Sequence, residues 1–235
     1  MGSFLTPVMV RTALDVGLIY AIVALSLFIS FSILNICDLS TDGCFTLGCA
    51  VAAVVTMAGH PLLAIPAAMA AGVLSGSVTA LLQTKLGVPS ILAGIIVNTG
   101  LYTVNLGVMG FSSNISIFGT DTIFSLWGKF FENTPLSEWS RSILLLLLIV
   151  LICLALNWFL KTRIGLSIRA TGDSMDMVRA SSIDPSFMII VGLCCSNALT
   201  GLAGALFANY NKSADINLGT GMVTIALAAL IIGET

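Results

Sequence analysis

The sequence predicts an all-α polytopic membrane protein of about seven transmembrane helices, and three observations carry that reading. Charged residues make up 9% of the 235-residue chain, against about 25% in soluble domains. Hydrophobic residues make up 57%, so a soluble fold of this chain would lack a charged surface. Four of the nine Lys and Arg residues (Lys161, Arg163, Arg169, Arg179) crowd into residues 161–185, between uncharged runs at 142–160 and 185–211. Two membrane-crossing helices joined by a basic, structured connection produce that pattern.

A hydrocarbon core of about 30 Å needs about 20 apolar residues per helix. On that rule spans fall near 13–35, 44–59, 61–83, 88–110, 141–160, 186–208 and 216–234. The first follows Arg11 and includes an uncharged run over 16–37, which is too long for the apolar part of a signal peptide. Between Asp42 and Asp121 Lys85 is the sole charged residue, with His60 neutral, so three spans lie there. His60-Pro61 separates the second span from the third, and Lys85-Leu86-Gly87 separates the third from the fourth. The fifth ends in Lys161 and Arg163, with Gly165 read as a C-terminal glycine. The sixth opens with Asp184-Pro185, an N-cap acceptor followed by proline at the first helical position. The chain ends at Thr235 directly after an apolar run, so either the final span stops at the interface or the chain is shorter than its relatives, and the second is the expectation.

Cytoplasmic loops carry the excess of Lys and Arg, so the 161–185 connection faces the cytoplasm. Counting outward, residues 111–140 form an external loop, Lys85 falls inside and the N-terminus lies outside, with Arg11 as a dissenting charge. Trp127, Phe130, Phe131 and Trp139 in the external loop suit the headgroup level or the docking of an external partner. Asp173 reads as the cap of a short helix beginning near Ser174 and fading around Ser182. That helix is too short to be stable alone in water, so the membrane domain, the headgroups or a partner must hold it.

The segment from Asn35 to Cys44 places Asp38, Ser40, Thr41 and Asp42 between two hydrophobic helices. Two readings stay open. One is a discontinuous span near 35–48 whose half-helix ends face a pathway. The other is an interfacial turn with Thr41 or Asp42 capping the next helix. Ser26 and Ser30 share a helical face, as do Asn98 and Asn105, and Asn197 sits inside span six. Hydrogen bonding between helices competes with a translocation lining for each of them. Gly72-x-x-x-Gly76 and Gly201-x-x-Gly204 suit close helix packing.

The six cysteines show no C-x-x-C metal spacing and read as small buried hydrophobes. No metal site, catalytic constellation or phosphate-binding glycine loop is present, so the chain reads as a non-enzyme that binds no cofactor itself. The net charge of −2 gives no argument for a nucleic-acid partner.

Three runs resemble the permease subunits of ABC importers of the branched-chain amino acid type, and most resemble the tryptophan/tyrosine-type subgroup. The first is Asp38-Leu-Ser-Thr-Asp-Gly-Cys-Phe-Thr-Leu-Gly48, similar to that subgroup's D-L-T-V-D-G-S-F-x-L-G segment. The second is Gly165-Leu-Ser-Ile-Arg-Ala-Thr-Gly-Asp173 with Val178-Arg-Ala-Ser-Ser-Ile-Asp184, similar to the cytoplasmic loop through which such permeases engage their ATPase. The third joins Ser196 to Gly204, Asp215-Ile-Asn-Leu-Gly-Thr-Gly221 and Ile231-Ile-Gly-Glu234. Ser182 stands where relatives usually carry glycine, and relatives continue past position 234.

The resemblance implies a single permease domain over 1–235 in a bacterial plasma membrane. It implies an importer of amino acids, aromatic ones included, or of a similar small solute. Its partners are two ATPase subunits that carry the ATP, a second permease copy in a homodimer, an external substrate-binding protein and the bilayer. It makes Arg169, Ala170, Gly172, Asp173, Met177, Arg179, Ala180 and Ile183 an ATPase-coupling surface. Asp38, Thr41, Asp42, Asn98, Asn105 and Asn197 are then candidates for lining the pathway. An ion-coupled secondary transporter, with Asp38 or Asp42 as relay, and a non-transporting scaffold are the alternatives.

Overall fold

The computed structural model describes residues 7–130 and 139–234. Among the described residues there are seven apolar helices, in line with the expectation of about seven spans. They are α1 (Pro7–Leu27) with its π-helical extension (Phe28–Ile33), α2 (Thr41–Met57), α3 (Pro61–Thr84), α4 (Ser90–Val108), α6 (Ser140–Leu160), α9 (Pro185–Asn211) and α10 (Met222–Glu234). Between them lie β1 (Asn114–Ser116), α5 (Ile123–Phe130), α7 (Arg163–Asp173), α8 (Met175–Ala180) and β2 (Ser213–Asp215). Phe131 falls outside the described residues.

Five of these spans are long and apolar enough to cross a bilayer, whereas α2 and α10 are shorter. At 1.5 Å per residue the 27 residues of α9 span about 40 Å, and the 17 of α2 only about 25 Å. α9 is the central post, with most of its side chains buried against α1, α2 and α3. The expected close packing is present. A methyl on Gly72 would strike the Asn197 backbone, one on Gly201 the Ala68 carbonyl, and one on Gly204 the Phe45 carbonyl. Ser26 donates to the Ser196 carbonyl at 2.8 Å and lies 2.7 Å from Thr200 Oγ1, so it joins α1 to α9.

Depth is readable from contacts along α9. Leu34 meets Gly192, Asp38 meets Asn197, Cys49 meets Gly204 and Thr56 meets Asn209. The chain therefore descends through α1 and its π-helical end, reverses at Asn35 (φ 56°) and climbs back to Asp38, at the midpoint of α9. From there α2 runs parallel to the second half of α9. The interfacial-turn reading of 35–44 gives way to the discontinuous one, because an interfacial turn cannot reach the middle of a 27-residue span.

The basic connection departs from expectation. Instead of a loop with one short helix, it folds into two helices, α7 and α8. Gly165 lies inside α7, and Thr162 is the cap, its Oγ1 accepting from Gly165 N–H. A side chain at 165 would strike the Phe159 carbonyl, so this glycine allows a tight corner between α6 and α7. Ser174, not Asp173, caps α8, accepting from Met177 N–H at 3.4 Å. Asp184 does cap α9, accepting from Ser186 N–H at 2.9 Å. The last span begins at Met222 rather than 216, because residues 216–221 form turns and follow β2, which pairs antiparallel with β1.

Arg11 lies 5.1 Å above the Trp139 ring, and Ser142 donates to Asp15. The starts of α1 and α6 thus share one side, opposite α7 and α8. Arg11, the dissenting charge, stacks as a cation on an aromatic face there.

Candidate functional site

Two helices, α2 and α10, meet by their N-termini in the interior. α2 starts at Thr41 and runs away from α7, while α10 starts at Met222 beside Asp42. Each N-terminus leaves backbone N–H groups unbonded and carries about half a positive charge. Two carboxylates answer them. Asp38 Oδ1 accepts from Ser40 N–H at 2.8 Å and Ser40 Oγ at 2.6 Å, and Asp38 Oδ2 accepts from Asn197 Nδ2 at 2.8 Å. Asp42 Oδ2 accepts from Gly221 N–H at 3.1 Å and Asp42 Oδ1 from Val223 N–H at 2.8 Å. Asp42 therefore caps a helix distant in sequence rather than its own.

Beside Asp42 opens a cavity of about 300 Å³ between α2, α4 and the 216–220 turn. Its walls include Asp42, Thr46, Asn98, Tyr102, Asn105 and Asn217, with Gly43, Thr99, Ile216 and Thr220 completing them. Gly43 keeps α4 close: a methyl there would come within 2.6 Å of Asn98 Oδ1. Thr46 Oγ1 accepts from Gly219 N–H at 3.1 Å and ties the turn to α2. Asn105 Nδ2 donates to the Gly43 carbonyl at 3.1 Å, while its Oδ1 is buried without a hydrogen-bond partner.

Of the candidates for the lining, Asp42, Asn98 and Asn105 meet at this cavity. Asp38, Thr41 and Asn197 form an adjoining packed network, each about 1% exposed. Tyr102, Thr46, Asn217 and Thr220 escaped the sequence reading. Tyr102 carried a signal, since 98, 102 and 105 fall on one helical face. Asn217 and Thr220 fall in the Asp215–Gly221 run that carries part of the resemblance, but nothing local gave them a role, because only the fold brings their turn to α2.

The pair α7–α8, at the opposite end of the bundle from the start of α1, makes a second candidate surface. Arg169, Asp173, Met177, Arg179 and Ala180 are exposed, whereas Ala170, Gly172 and Ile183 are half-buried. Gly172 faces the membrane domain. A methyl there would strike the Ile33 carbonyl, so α7 rests directly on the π-helical end of α1. Ile168 is buried in the same cluster as Ile33, Leu34 and Leu193. Trp127 is half-buried, and Trp139 is 42% exposed. Among the described residues no group of three or more His, Cys, Asp or Glu side chains assembles to hold a metal.

Residues 9–235 match the family described as the branched-chain amino acid transport system permease component. The chain is 35% identical over 221 residues to a tyrosine transport system permease protein of Clostridioides difficile (strain R20291), covering 93% of this chain and 70% of that one. It is 34% identical over 225 residues to an uncharacterized protein of Rickettsia prowazekii (strain Madrid E), covering 95% and 76%. A ribose import permease protein of Escherichia coli (strain K12) is 29% identical over 208 residues, covering 84% of this chain and 60% of that permease. No solved structure matches the chain.

Proposed function

The chain belongs to the branched-chain amino acid transport system permease family, a multi-pass bacterial membrane permease rather than an enzyme, and on that premise we propose that it is the membrane subunit of an ATP-driven importer of amino acids or similar small solutes. The observation that carries the proposal is the seat of α7 on the π-helical end of α1. Four residues beyond Leu34 the same strand of chain reaches Asp38, and then Asp42 and the cavity. A push on the exposed face of α7–α8 would therefore move the segment that holds the N-termini of α2 and α10.

In this reading Arg169, Asp173, Met177, Arg179 and Ala180 meet an ATPase subunit, which supplies the ATP. Ala170, Gly172 and Ile183 transmit the movement inward. Two ATPases, a second permease copy and an external binding protein complete the machine. Asp42, Asn98 and Asn105 line the pathway, and Asp38, Thr41 and Asn197 brace it. The similarity to a tyrosine transport permease supports an amino-acid cargo, aromatic ones included. A proton or ion relay finds less support, because both carboxylates already serve as structural acceptors, Asp38 for Ser40 and Asn197 and Asp42 for Gly221 and Val223.

Copurification tests the proposal. Arg169→Glu and Met177→Asp should abolish retention of the ATPase and ATP-driven uptake while leaving the protein inserted and monodisperse. Full retention of the ATPase by both variants would count against it.

A further inference from the structure

A small cavity of about 30 Å³ lies where the start of α5, the start of α6 and the end of α9 meet, on the side away from α7 and α8. That volume admits a single water-sized guest. Arg141 and Lys212 both line it, beside Ser125, Phe124 and Tyr210. Among the described residues neither cation makes an ion pair. The neighbouring carboxylates are engaged elsewhere: Asp15 accepts from Ser142 Oγ, and Asp121 Oδ1 accepts from Ser125 Oγ at 3.3 Å.

Helix electrostatics point the same way. Arg141 is the second residue of α6, at the positive end of that helix, where a cation is disfavoured. Thr122 N–H donates to Ser125 Oγ at 2.7 Å and Ser125 N–H donates back to Thr122 Oγ1 at 3.3 Å, so the first turn of α5 brings a second positive helix end to the cavity. Lys212, the C-cap of α9, does have a negative helix end beside it, and Arg141 has none. Water in the cavity would leave two like charges sharing one small space, whereas a single anion would answer both.

We propose that this cavity binds one small inorganic anion of the halide class, held between Arg141 and Lys212. The bound anion fastens the start of α5 and α6 to the end of α9. The site lies apart from the Asp42 cavity and from the α7–α8 surface, so the proposal goes beyond the importer reading and stands without it. Gluconate, a large organic anion, does not fit so small a space and serves as the control.

The test melts the full chain in phosphatidylcholine nanodiscs, in sodium chloride against sodium gluconate at constant ionic strength. A ligand bound by the folded state alone stabilises it by mass action, so chloride should raise the melting temperature by roughly 2–4 °C and the rise should saturate. Bromide should act alike. Chloride should slow hydrogen exchange across residues 122–126 and 209–212 and leave 163–180 unchanged. Arg141→Gln and Lys212→Gln should each shift the chloride midpoint at least tenfold upward, the loss of one charge-assisted hydrogen bond. In gluconate both variants should melt no lower than the unaltered protein, because a repulsion has been removed. Equal melting in the two salts, a rise that never saturates, or a chloride response kept by both variants overturns the proposal. So does stabilisation by phosphatidylglycerol nanodiscs without any response to chloride, which would assign the two cations to a lipid headgroup. The salt comparison is read on the unaltered protein, so it decides the matter even if a variant fails to fold.

Discussion

Asp42 shows how a single side chain can tie together parts of the chain far apart in sequence. It lies one residue into α2, where a carboxylate ordinarily answers its own helix, yet it accepts from Gly221 and Val223 at the start of α10. Replacing a helix cap with alanine costs about 0.5–2 kcal/mol. Asp42→Ala should therefore lower the thermal stability of the purified protein, with hydrogen exchange accelerating first in residues 221–225; unchanged exchange there would refute the cross-chain cap. Ser182 offers the opposite case. Its φ of 60° is left-handed, which costs a non-glycine residue about 1–2 kcal/mol. Ser182→Gly should stabilise the turn between α8 and α9 by roughly 0.5–1 kcal/mol. Slower hydrogen exchange across residues 181–184 is the expected sign.

Contacts between elements are set by glycine as much as by apolar bulk. α3 and α9 approach so closely that a methyl on Gly72 would collide with the Asn197 carbonyl. Overfilling a packed contact costs about 1–3 kcal/mol. Gly72→Leu should broaden the size-exclusion profile and lower the melting temperature, whereas Leu74→Ala on the lipid-facing side (Leu74 is 68% exposed) should do neither. Gly172 plays the same part between α7 and the π-helical segment. Gly172→Ala should leave the exposed face of α7–α8 intact but lift α7 from Ile33. Such a variant should still bind the ATPase, and hydrolysis should no longer respond to substrate. A fully coupled Gly172→Ala variant would show that movement passes by another route.

At the scale of the whole molecule the arrangement predicts sidedness. With native cysteines replaced, Met177→Cys should react with a membrane-impermeant maleimide from the cytoplasmic face alone, and Phe118→Cys from the outer face alone. Labelling of both from one side would invert or break the topology. Spans, their order and the basic connection between α6 and α9 were legible in the sequence, because burial in lipid demands long uncharged runs and leaves charges at the edges. The interior polar cluster was legible as residue types, and Asp42, Asn98 and Asn105 as candidates, since polar groups at membrane depth need a reason. What the sequence left open is everything that depends on how far a segment travels before it turns. Only the tertiary structure shows that Asp38 reaches the middle of α9, that Asp42 serves α10, and that Asn217 and Thr220 come to the same cavity. Local pattern records which medium each residue prefers. Depth and pairing follow instead from packing against a single long helix, and no run of neighbouring residues encodes that.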